Sequence, residues 1–510
     1  MATISNNKLI AKNTFFLYIR MFFVLIVSLY TSRVVLNTLG VVDYGIYNVV
    51  SGFVSLFTFL NATLSASVQR FYNYEGTLNG FEGFRSVYVT SLIIHIGLSL
   101  VILIFLESVG LWYVNNVMIL PPERMLAANV VFQTSVISLL IVFLQIPYLG
   151  AVMAKQCMNF YAVVSIIDTL LKLVIVLFLP YIPYDKLLVY AFLSLAISVL
   201  NFTLYYCYSK VKFKEVSFKF ELNRPLFKQI IGFTGWNVIG TFAFMLKGQG
   251  INMLLNVFFG PIVNAARGIA YQVSGAISGF SSNIAIAFRP QIVNTFAELE
   301  YDKARNLFLT ESRVCFMLIA TLITPVIIDI DYILHLWLGD IIPSLTKSFV
   351  ILVLIDTLIC TLNTPCTQIV HATGQIRKYQ IASTIVNILL LPTSWIFLKL
   401  GFNSIFVFIL VIIFSVINQL VCILIANRIF PIGLNKYFIE VLVPCVLYIT
   451  ILPIAPLIIF NNLEMTFFRL LCVGISTLLM ALPLSYWLAL TDSQRNVVSK
   501  FIISRIRYNA

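Results

Sequence analysis

Charged side chains are scarce in this sequence. Only 10% of its 510 residues are Asp, Glu, Lys or Arg, whereas 60% are hydrophobic and the mean hydropathy is +0.98. Because soluble domains carry about 25% charged residues, this composition excludes a soluble globular protein. Apolar runs of about 20 residues recur, and a chain in lipid must satisfy its own backbone polar groups. The sequence therefore predicts an all-α polytopic membrane protein.

The sequence also lacks the usual patterns of catalytic and metal sites. Its eight cysteines include no CxxC pair, and most lie inside apolar runs, so we expect neither a disulfide nor a metal. We find no metal-ligand cluster, nucleophile triad or phosphate-binding glycine loop. We therefore expect no catalytic residue and no cofactor, and a transporter rather than an enzyme.

The apolar runs predict fourteen membrane spans. They lie near residues 14–36, 43–68, 87–109, 126–147, 160–180, 186–208, 230–256, 262–287, 306–328, 344–367, 379–399, 403–426, 437–460 and 468–490.

Basic residues predict the orientation of these spans. Most of the 33 Lys and Arg residues lie on the side of the two termini, and the opposite loops carry only Arg124, Lys186, Lys399 and Arg469. By the positive-inside rule, both termini are cytoplasmic. The net charge of +13 then reflects topology and contact with anionic membrane lipids rather than a nucleic-acid partner.

Two halves of the chain look like copies of one unit. Four residue pairs share an offset of 218 residues: Leu144/Leu362, Pro147/Pro365, Ala154/Ala372 and Tyr161/Tyr379. Gly40 and Gly260 form a weaker match. Since each copy has six spans, the repeat is parallel, about an axis along the membrane normal.

The repeat predicts five segments. They are an N-lobe (1–209), a basic cytoplasmic linker (210–229), a C-lobe (230–427), two extra spans (428–491) and an amphipathic basic cytoplasmic tail (492–510). The linker fits an interfacial segment or a plain basic connection. The extra spans fit lateral packing or a flank for a lipid tail.

Short motifs in the chain resemble a known family. They are Leu39-Gly40-x-x-x-Tyr44-Gly45-x-Tyr47, then Arg70-Phe71, and Pro365-x6-Ala372-Thr373-Gly374-Gln375. Together they resemble the polysaccharide-transporter branch of the MOP exporter superfamily, which includes the Wzx O-antigen flippases. The resemblance implies two six-helix lobes in a V, a cavity that opens alternately to each side, and a polyprenyl-diphosphate-linked oligosaccharide as substrate. A glycan polymerase and assembly proteins would then be partners.

Four basic residues lie within or at the ends of spans and are candidates for binding a diphosphate: Lys247, Arg20, Arg267 and Arg33. A cation at membrane depth is costly and normally faces a protein interior or a wet cavity. Lys247 is the best candidate because glycines follow it in mid-span, although snorkelling competes. Snorkelling also competes for Arg20, and anchoring at the outer interface competes for Arg33 and Arg267.

Three charged residues are candidates for coupling transport to H⁺ or Na⁺. Asp168 and Lys172 stand four residues apart in the favourable order for an intrahelical ion pair, which leaves a structural and a coupling role open. Asp356 is alone in its span and is the sharper candidate. Four glycines are expected to act as hinges or turns: Gly40, Gly45, Gly248 and Gly250.

Two alternative functions remain open from the sequence. A multidrug exporter of the same architecture would favour acidic residues in its cavity, and this membrane interior is basic. A membrane glycan polymerase or ligase usually needs a large external loop with catalytic groups, and the longest external segment here is near 110–125.

Overall fold

The computed structural model describes residues 2–155, 157–217, 223–232, 245–373, 375–490 and 495, with side chains from Phe23 onward apart from scattered positions in α2, α6 and α9. Every regular element in this part of the chain is helical. The prediction of an all-α polytopic membrane protein is confirmed. Eleven helices in the described residues are long and apolar enough to cross a membrane.

The helices of the first half begin at the N-terminus of the described chain. They are α1 (Ala2–Ser55), α2 (Phe59–Leu78), α3 (Gly80–Phe105), α4 (Leu111–Asn116), α5 (Met125–Ala154), α6 (Met158–Phe178), α7 (Lys186–Lys212), α8 (Ile251–Phe259) and α9 (Pro261–Ala297). Turns of π-helix cover Leu106–Gly110 and Leu246–Gly250, and residues 224–232 are also helical.

The helices of the second half complete the order. They are α10 (Tyr301–Ile328), α11 (Ile330–Leu338), α12 (Thr346–Thr361), α13 (Asn363–Thr373), α14 (Ile376–Lys399), α15 (Ser404–Ile429), α16 (Leu434–Tyr437), α17 (Val443–Ile451), α18 (Ile454–Asn462) and α19 (Phe467–Leu488), with a π-helical turn at Phe438–Leu442.

The chain divides into two compact units, residues 1–268 and 269–510. The core of the first unit contains large buried side chains such as Phe132 and Phe143, and that of the second contains Phe308 and Tyr448. The boundary falls inside α9. Helix α8 and the start of α9 therefore pack with the first unit, although the sequence repeat assigns them to the second copy. The lobe boundaries drawn from the sequence stay a prediction.

The first predicted hairpin is a single-residue break in α1. Gly40 has φ 77° and ψ 170°, a conformation almost restricted to glycine, and the helix resumes at Val41. The sequence predicted a turn over Leu39–Gly45, and this was wrong beyond Gly40. Residues 43–45 are helical because one residue in this conformation is enough to redirect the chain.

The backbone repeats the pattern that the sequence predicted. Gly260 breaks the chain between α8 and α9 with φ 74° and ψ −174°, close to the angles of its counterpart Gly40. Helices α6 and α14 both begin at the predicted 218-residue offset, as do α7 and α15. The side chains at the N-caps of α7 and α15, Asp185 and Asn403, both accept backbone hydrogen bonds. The second copy therefore reuses helix starts as well as hydrophobic runs.

The predicted total of fourteen spans stays a prediction. Described helices lie on all fourteen predicted spans, but on the one near 230–256 only in part, because residues 233–244 lie outside the described residues. The predicted cytoplasmic tail lies outside them too, except for Arg495.

The linker after α7 packs partly into the first unit. Phe213 and Val216 are buried in its core, and the side chain of Lys155 donates to Glu215 at 2.9 Å. Burial tends to raise the pKa of Glu215, but the Lys155 ammonium outweighs this and holds that pKa below its ordinary value. In the described residues, this segment is therefore neither wholly interfacial nor a plain connection, because its apolar side chains belong to the core.

Candidate functional site

The π-helical turn Leu246–Gly250 lies where the sequence predicted a loosened helix. Gly248 and Gly250 favour such a departure from regular helix, and π turns are frequent at functional sites. The turn contains Lys247, whose side chain is partly buried. It places a cation and a distorted backbone at the same position.

Arg267 contacts this turn from α9. Its Nη2 donates to the carbonyl oxygen of Gly248 at 2.6 Å, and the residue is only 6% exposed. Arg267 therefore lies in the protein interior, and the alternative of interfacial anchoring does not describe it. The structure therefore places Arg267 against the π-helical turn that contains Lys247.

A seam of buried amide side chains extends this site along α8. Asn264 Nδ2 donates to Asn252 Oδ1 at 2.8 Å, and Asn256 Nδ2 donates to Asn264 Oδ1 at 3.2 Å. Asn252 in turn donates to the backbone oxygen of Asn48 in α1, at 3.3 Å. No pattern in the sequence indicated this seam, because asparagines in a helix do not reveal which neighbours they face.

Small residues allow α1 to approach this seam closely. A Cβ at Gly45 would lie 2.0 Å from the carbonyl oxygen of Pro261, and one at Gly268 would lie 2.9 Å from Asn48 Oδ1. Gly45 was predicted as a turn residue, but the structure makes it a contact residue between α1 and the start of α9. No side chain larger than hydrogen fits between the backbones at that point.

The other predicted cations lie elsewhere in α1. The side chain of Arg20 lies outside the described residues. Arg33 is partly buried in the part of α1 before Gly40. Whether either contributes to substrate binding stays a prediction.

The predicted carboxylates have partners in the structure. Asp168 Oδ2 accepts from Lys172 Nζ at 2.7 Å, which confirms the intrahelical pair, and Asp168 Oδ1 accepts from Asn201 at 2.7 Å. Asp356 was expected to be alone in its span, and no charged residue described there pairs with it; the Cys360 thiol lies 3.9 Å from its Oδ1, and Ser415 Oγ donates to that oxygen at 2.5 Å. That partner comes from α15 and could not be found by spacing within one span.

A polar stripe along α2 was also missed by sequence reasoning. It consists of five residues at four-residue spacing: Asn61, Ser65, Gln69, Asn73 and Thr77. Near its C-terminal end, Gln69, Asn73 and Thr77 line a groove of about 670 Å³ together with Arg70 and Tyr74. Amide and hydroxyl groups beside an aromatic ring can contact polar ligands, and the spacing was the signal that could have revealed them.

Arg124 clamps three helices of the first unit together. Its guanidinium donates to Asp43 of α1 at 2.8 and 2.5 Å and to Asp185, at the start of α7, at 2.5 and 3.1 Å. The Arg124 guanidinium lowers the pKa of Asp185 below its ordinary value. In the second unit, Arg469 of α19 forms a similar bidentate pair with the buried Asp329. These arginines, predicted to lie outside the membrane, have structural partners.

Comparison with solved structures identifies the fold. The lipid II flippase MurJ in an inward closed conformation is 14% identical, with a TM-score of 0.67, and the match covers 92% of this chain and 97% of that chain. An inward-facing MATE-family multidrug resistance transporter of the MOP superfamily is 15% identical, with a TM-score of 0.66 and coverage of 79% and 95%. This chain has the fold of the MOP-superfamily transporters.

A further solved structure shares the fold, whereas comparisons of sequence find no match. A MOP-superfamily transporter from Pyrococcus furiosus, reported with a binding pocket of reversed polarity, is 16% identical with a TM-score of 0.55, and covers 82% of this chain and 96% of its own. No protein-family model matches the chain, and a comparison with curated proteins finds no match. The MOP fold is therefore evident from the arrangement of helices, at identities that say nothing of the substrate.

The side chains at the π-helical turn are of kinds that bind anionic and polar groups. Among the described residues, no group of three or more His, Cys, Asp or Glu could hold a metal ion. The side chains around Leu246–Gly250 instead offer positive charge and amide groups. Such groups can bind an anionic headgroup and orient polar substituents.

Proposed function

We propose that this protein is a flippase. It would move a polyprenyl-diphosphate-linked oligosaccharide, such as an O-antigen, capsule or exopolysaccharide repeat unit, across the bacterial cytoplasmic membrane by alternating access, coupled to movement of H⁺ or Na⁺. Lys247 and Arg267 would bind the diphosphate. The observation that carries the proposal is the pair of cations at the π-helical turn of a MOP-type transporter fold.

The physical argument for an anionic substrate is electrostatic. A diphosphate headgroup loses hydration when it enters a low-dielectric protein interior, and a fixed cation there attracts it several times more strongly than in water. Arg267 is buried, and because a guanidinium keeps its charge even in a protein interior, it could bind a phosphate there. A binding site for a cationic drug would need carboxylates in this position instead.

The extent of the structural match also favours a flippase. The match to the lipid II flippase covers 92% of 510 residues, about 470, which exceeds the 427 residues before the last two predicted spans. That match must therefore include part of the final segment. The match to the MATE transporter covers 79% of this chain, which is fewer than 427 residues, so it need not include the final segment. The last two spans would offer an apolar flank for the polyprenyl tail.

The groove on α2 provides a second place for substrate contacts. Sugars are bound through amide and hydroxyl groups and through aromatic faces, and Gln69, Asn73, Thr77 and Tyr74 supply both kinds. We propose that this groove meets the oligosaccharide when the cations hold the diphosphate. The sugar composition that it prefers depends on side chains whose contacts with glycans have no simple signature.

A multidrug exporter is the second candidate function. The specific observation in its favour is the MATE-family match, whose TM-score of 0.66 is close to that of the flippase. The two functions differ in substrate charge. The structure with reversed pocket polarity shows that the MOP fold occurs with pockets of different polarity.

Reconstitution distinguishes these functions. Purified protein in proteoliposomes would be supplied with a polyprenyl-diphosphate-linked oligosaccharide, and its movement to the other leaflet would be followed by a membrane-impermeant glycosidase or lectin. In parallel, uptake of a cationic dye would be measured. We expect movement of the lipid-linked oligosaccharide and no dye uptake above empty vesicles. Dye uptake without lipid movement would establish the exporter instead.

A further inference from the structure

Glu311 is an acidic side chain in the middle of the second unit that the site above does not use. It lies in α10 and is 0% exposed. Neither carboxyl oxygen has a hydrogen-bond partner, and the described residues place no ion-pair partner beside it. Asp168 and Asp356, the carboxylates expected from the sequence to couple transport, are both hydrogen-bonded instead.

The surroundings of Glu311 contain thiols rather than charges. The ionisable groups that interact with it electrostatically are Cys315, four residues further along α10, and Cys366 of α13. Arg313, on the same helix, is directed elsewhere: its Nη1 donates to the carbonyl oxygen of Glu440 at 3.1 Å. Nothing described in this environment neutralises a negative charge.

The charged residues on the helices that pack against α10 are engaged elsewhere. Arg469 pairs with Asp329, Lys347 with Asp331, His335 with Asp340, Lys436 with Glu440, and Asp356 accepts from Ser415, while His371 is exposed near the end of α13. Among the described residues, the remaining ionisable groups on these helices are four thiols and three phenols: Cys360, Cys366, Cys445, Cys472, Tyr332, Tyr448 and Tyr486.

We propose that Glu311 is a proton-binding site of this transporter, protonated in the conformation seen here and deprotonated when the second unit rearranges. An ionised carboxylate without a partner is very costly in an apolar interior, so the buried group must be the neutral acid. When water reaches it, the O–H bond breaks, the proton leaves to that water and the carboxylate remains.

Return to the closed packing then requires a proton. Because the core around Glu311 cannot hold the ionised form, the carboxylate must take up one proton before the helices close again. Each cycle would therefore bind and release one proton at this residue. This inference rests on the proposed transport function, but it does not depend on which substrate is moved.

The neighbouring groups favour a proton over Na⁺. A hard cation such as Na⁺ needs several oxygen ligands, by analogy with the oxygen shells of other hard cations, whereas neither carboxyl oxygen of Glu311 has a hydrogen-bond partner and its ionisable neighbours among the described residues are thiols. A proton needs only the carboxyl group itself. The ligand is therefore H⁺, and Na⁺ becomes an outcome for the test.

The first test measures protonation directly. Infrared spectra of the purified protein at neutral pH would be compared for wild type, Glu311→Gln and Glu311→Asp, with Asp168→Asn as a control. We expect a band of a protonated carboxyl group in a dry environment that is absent in Glu311→Gln and unchanged in Asp168→Asn. Identical carboxyl bands in wild type and Glu311→Gln would overturn the proposal. Glu311→Asp keeps an acid at the site, so it should retain a shifted band.

The second test measures coupling. Proteoliposomes carrying lipid-linked oligosaccharide would be given a pH gradient or a Na⁺ gradient. We expect the pH gradient to accelerate wild type and Glu311→Asp but not Glu311→Gln, whose amount and thermal midpoint match wild type. Equal acceleration of Glu311→Gln by the pH gradient, or acceleration of wild type by Na⁺ alone, would overturn the proposal. A wild type that moves no lipid would refute the proposed function, while the infrared result still decides the protonation of Glu311.

Discussion

Two positions in α1 need glycine for different physical reasons. Gly40 has a backbone conformation that other residues rarely adopt, but a Cβ there would meet nothing within 4 Å. Gly45 is helical, and a Cβ there would collide with the backbone of Pro261. A side chain at position 40 would therefore strain the backbone, and one at position 45 would disturb the packing against Pro261.

This difference predicts the effects of alanine at each position. Gly40→Ala should cost about 1 to 3 kcal/mol through backbone strain. Gly45→Ala should cost at least as much, because the clash involves backbone and the helices must separate. Thermal unfolding in detergent would measure both.

Gly97→Ala is the matched control for these substitutions. Gly97 lies in α3, and a Cβ there would meet no atom within 4 Å. Alanine should therefore be neutral or slightly stabilising in this helix. A Gly45→Ala protein as stable as Gly97→Ala would show that α1 does not approach Pro261 in the way described.

Single residues also show what the sequence could predict. Gly40, the Asp168–Lys172 pair and the loosened helix at Lys247 were all found, because each depends on local spacing. The partner of Asp356 and the isolation of Glu311 were not, because both depend on packing between helices that are distant in sequence.

At the scale of the elements, Arg124 at the start of α5 joins α1, just after its break at Gly40, to the start of α7. Its removal would leave the Asp43 and Asp185 carboxylates without their cation. We expect Arg124→Gln to lower the stability of the first unit by about 1 to 3 kcal/mol at neutral pH. Arg85→Gln should change it little, since Arg85 contacts Glu82 at 3.5 Å in an exposed pair. Thermal unfolding of both variants measures this difference.

The pH dependence of this clamp follows from Asp185. Its pKa is lower in the folded protein than its ordinary value near 3.9. Such a group stabilises the fold above that ordinary value and loses its contribution as the pH falls through the lowered pKa. The contribution of Asp185 to the difference between wild type and Arg124→Gln should therefore be present at neutral pH and be lost as the pH falls into the acid range where this carboxyl binds a proton. A difference that disappears near neutral pH would contradict this assignment.

A proline leaves one backbone carbonyl oxygen of the π-helical turn Phe438–Leu442 without its usual N–H donor. Pro444 has no N–H to donate to the carbonyl oxygen of Glu440, four residues earlier. Arg313 of α10 donates to that carbonyl, so the turn at Phe438–Leu442 gains a partner from another helix. The Gly248 carbonyl at the candidate site gains Arg267 in a comparable way. The hydrophobic runs predicted these spans. The π-helical turns that interrupt them, and the arginines that bind the freed carbonyl oxygens, could be found only from the structure.

At the scale of the whole molecule, the arrangement of spans implies a definite topology. Basic residues predict that the loop at Asn79 and the loop at Asn435 are cytoplasmic. The loops at Glu123 and Glu464 should be external. All four residues are exposed, so each suits a single reporter cysteine.

Cysteine labelling in intact cells tests this topology. In a background without the native cysteines, a membrane-impermeant maleimide should label cysteine at 123 and 464 but not at 79 and 435. Permeabilised cells should label all four, which is the control for accessibility. Labelling of 79 in intact cells would show that this loop is external and that the predicted orientation is wrong.

The central claim is that a cationic site at the π-helical turn binds the diphosphate of a lipid-linked oligosaccharide. Lys247 is the residue that tests it, because it is partly buried in that turn and its charge can be kept or removed. Lys399 is the matched control, since it is exposed at the end of α14 and lies over the ring of Trp395.

The most direct measurement is the rate at which proteoliposomes flip a polyprenyl-diphosphate-linked oligosaccharide, with protein amount matched across variants. A hydrogen bond to a charged group contributes about 1.5 to 3 kcal/mol, so Lys247→Ala should slow flipping roughly 10- to 100-fold. Lys247→Arg should keep much of the rate, and Lys399→Ala should keep all of it. Equal rates for wild type and Lys247→Ala would contradict the claim that this turn binds the substrate.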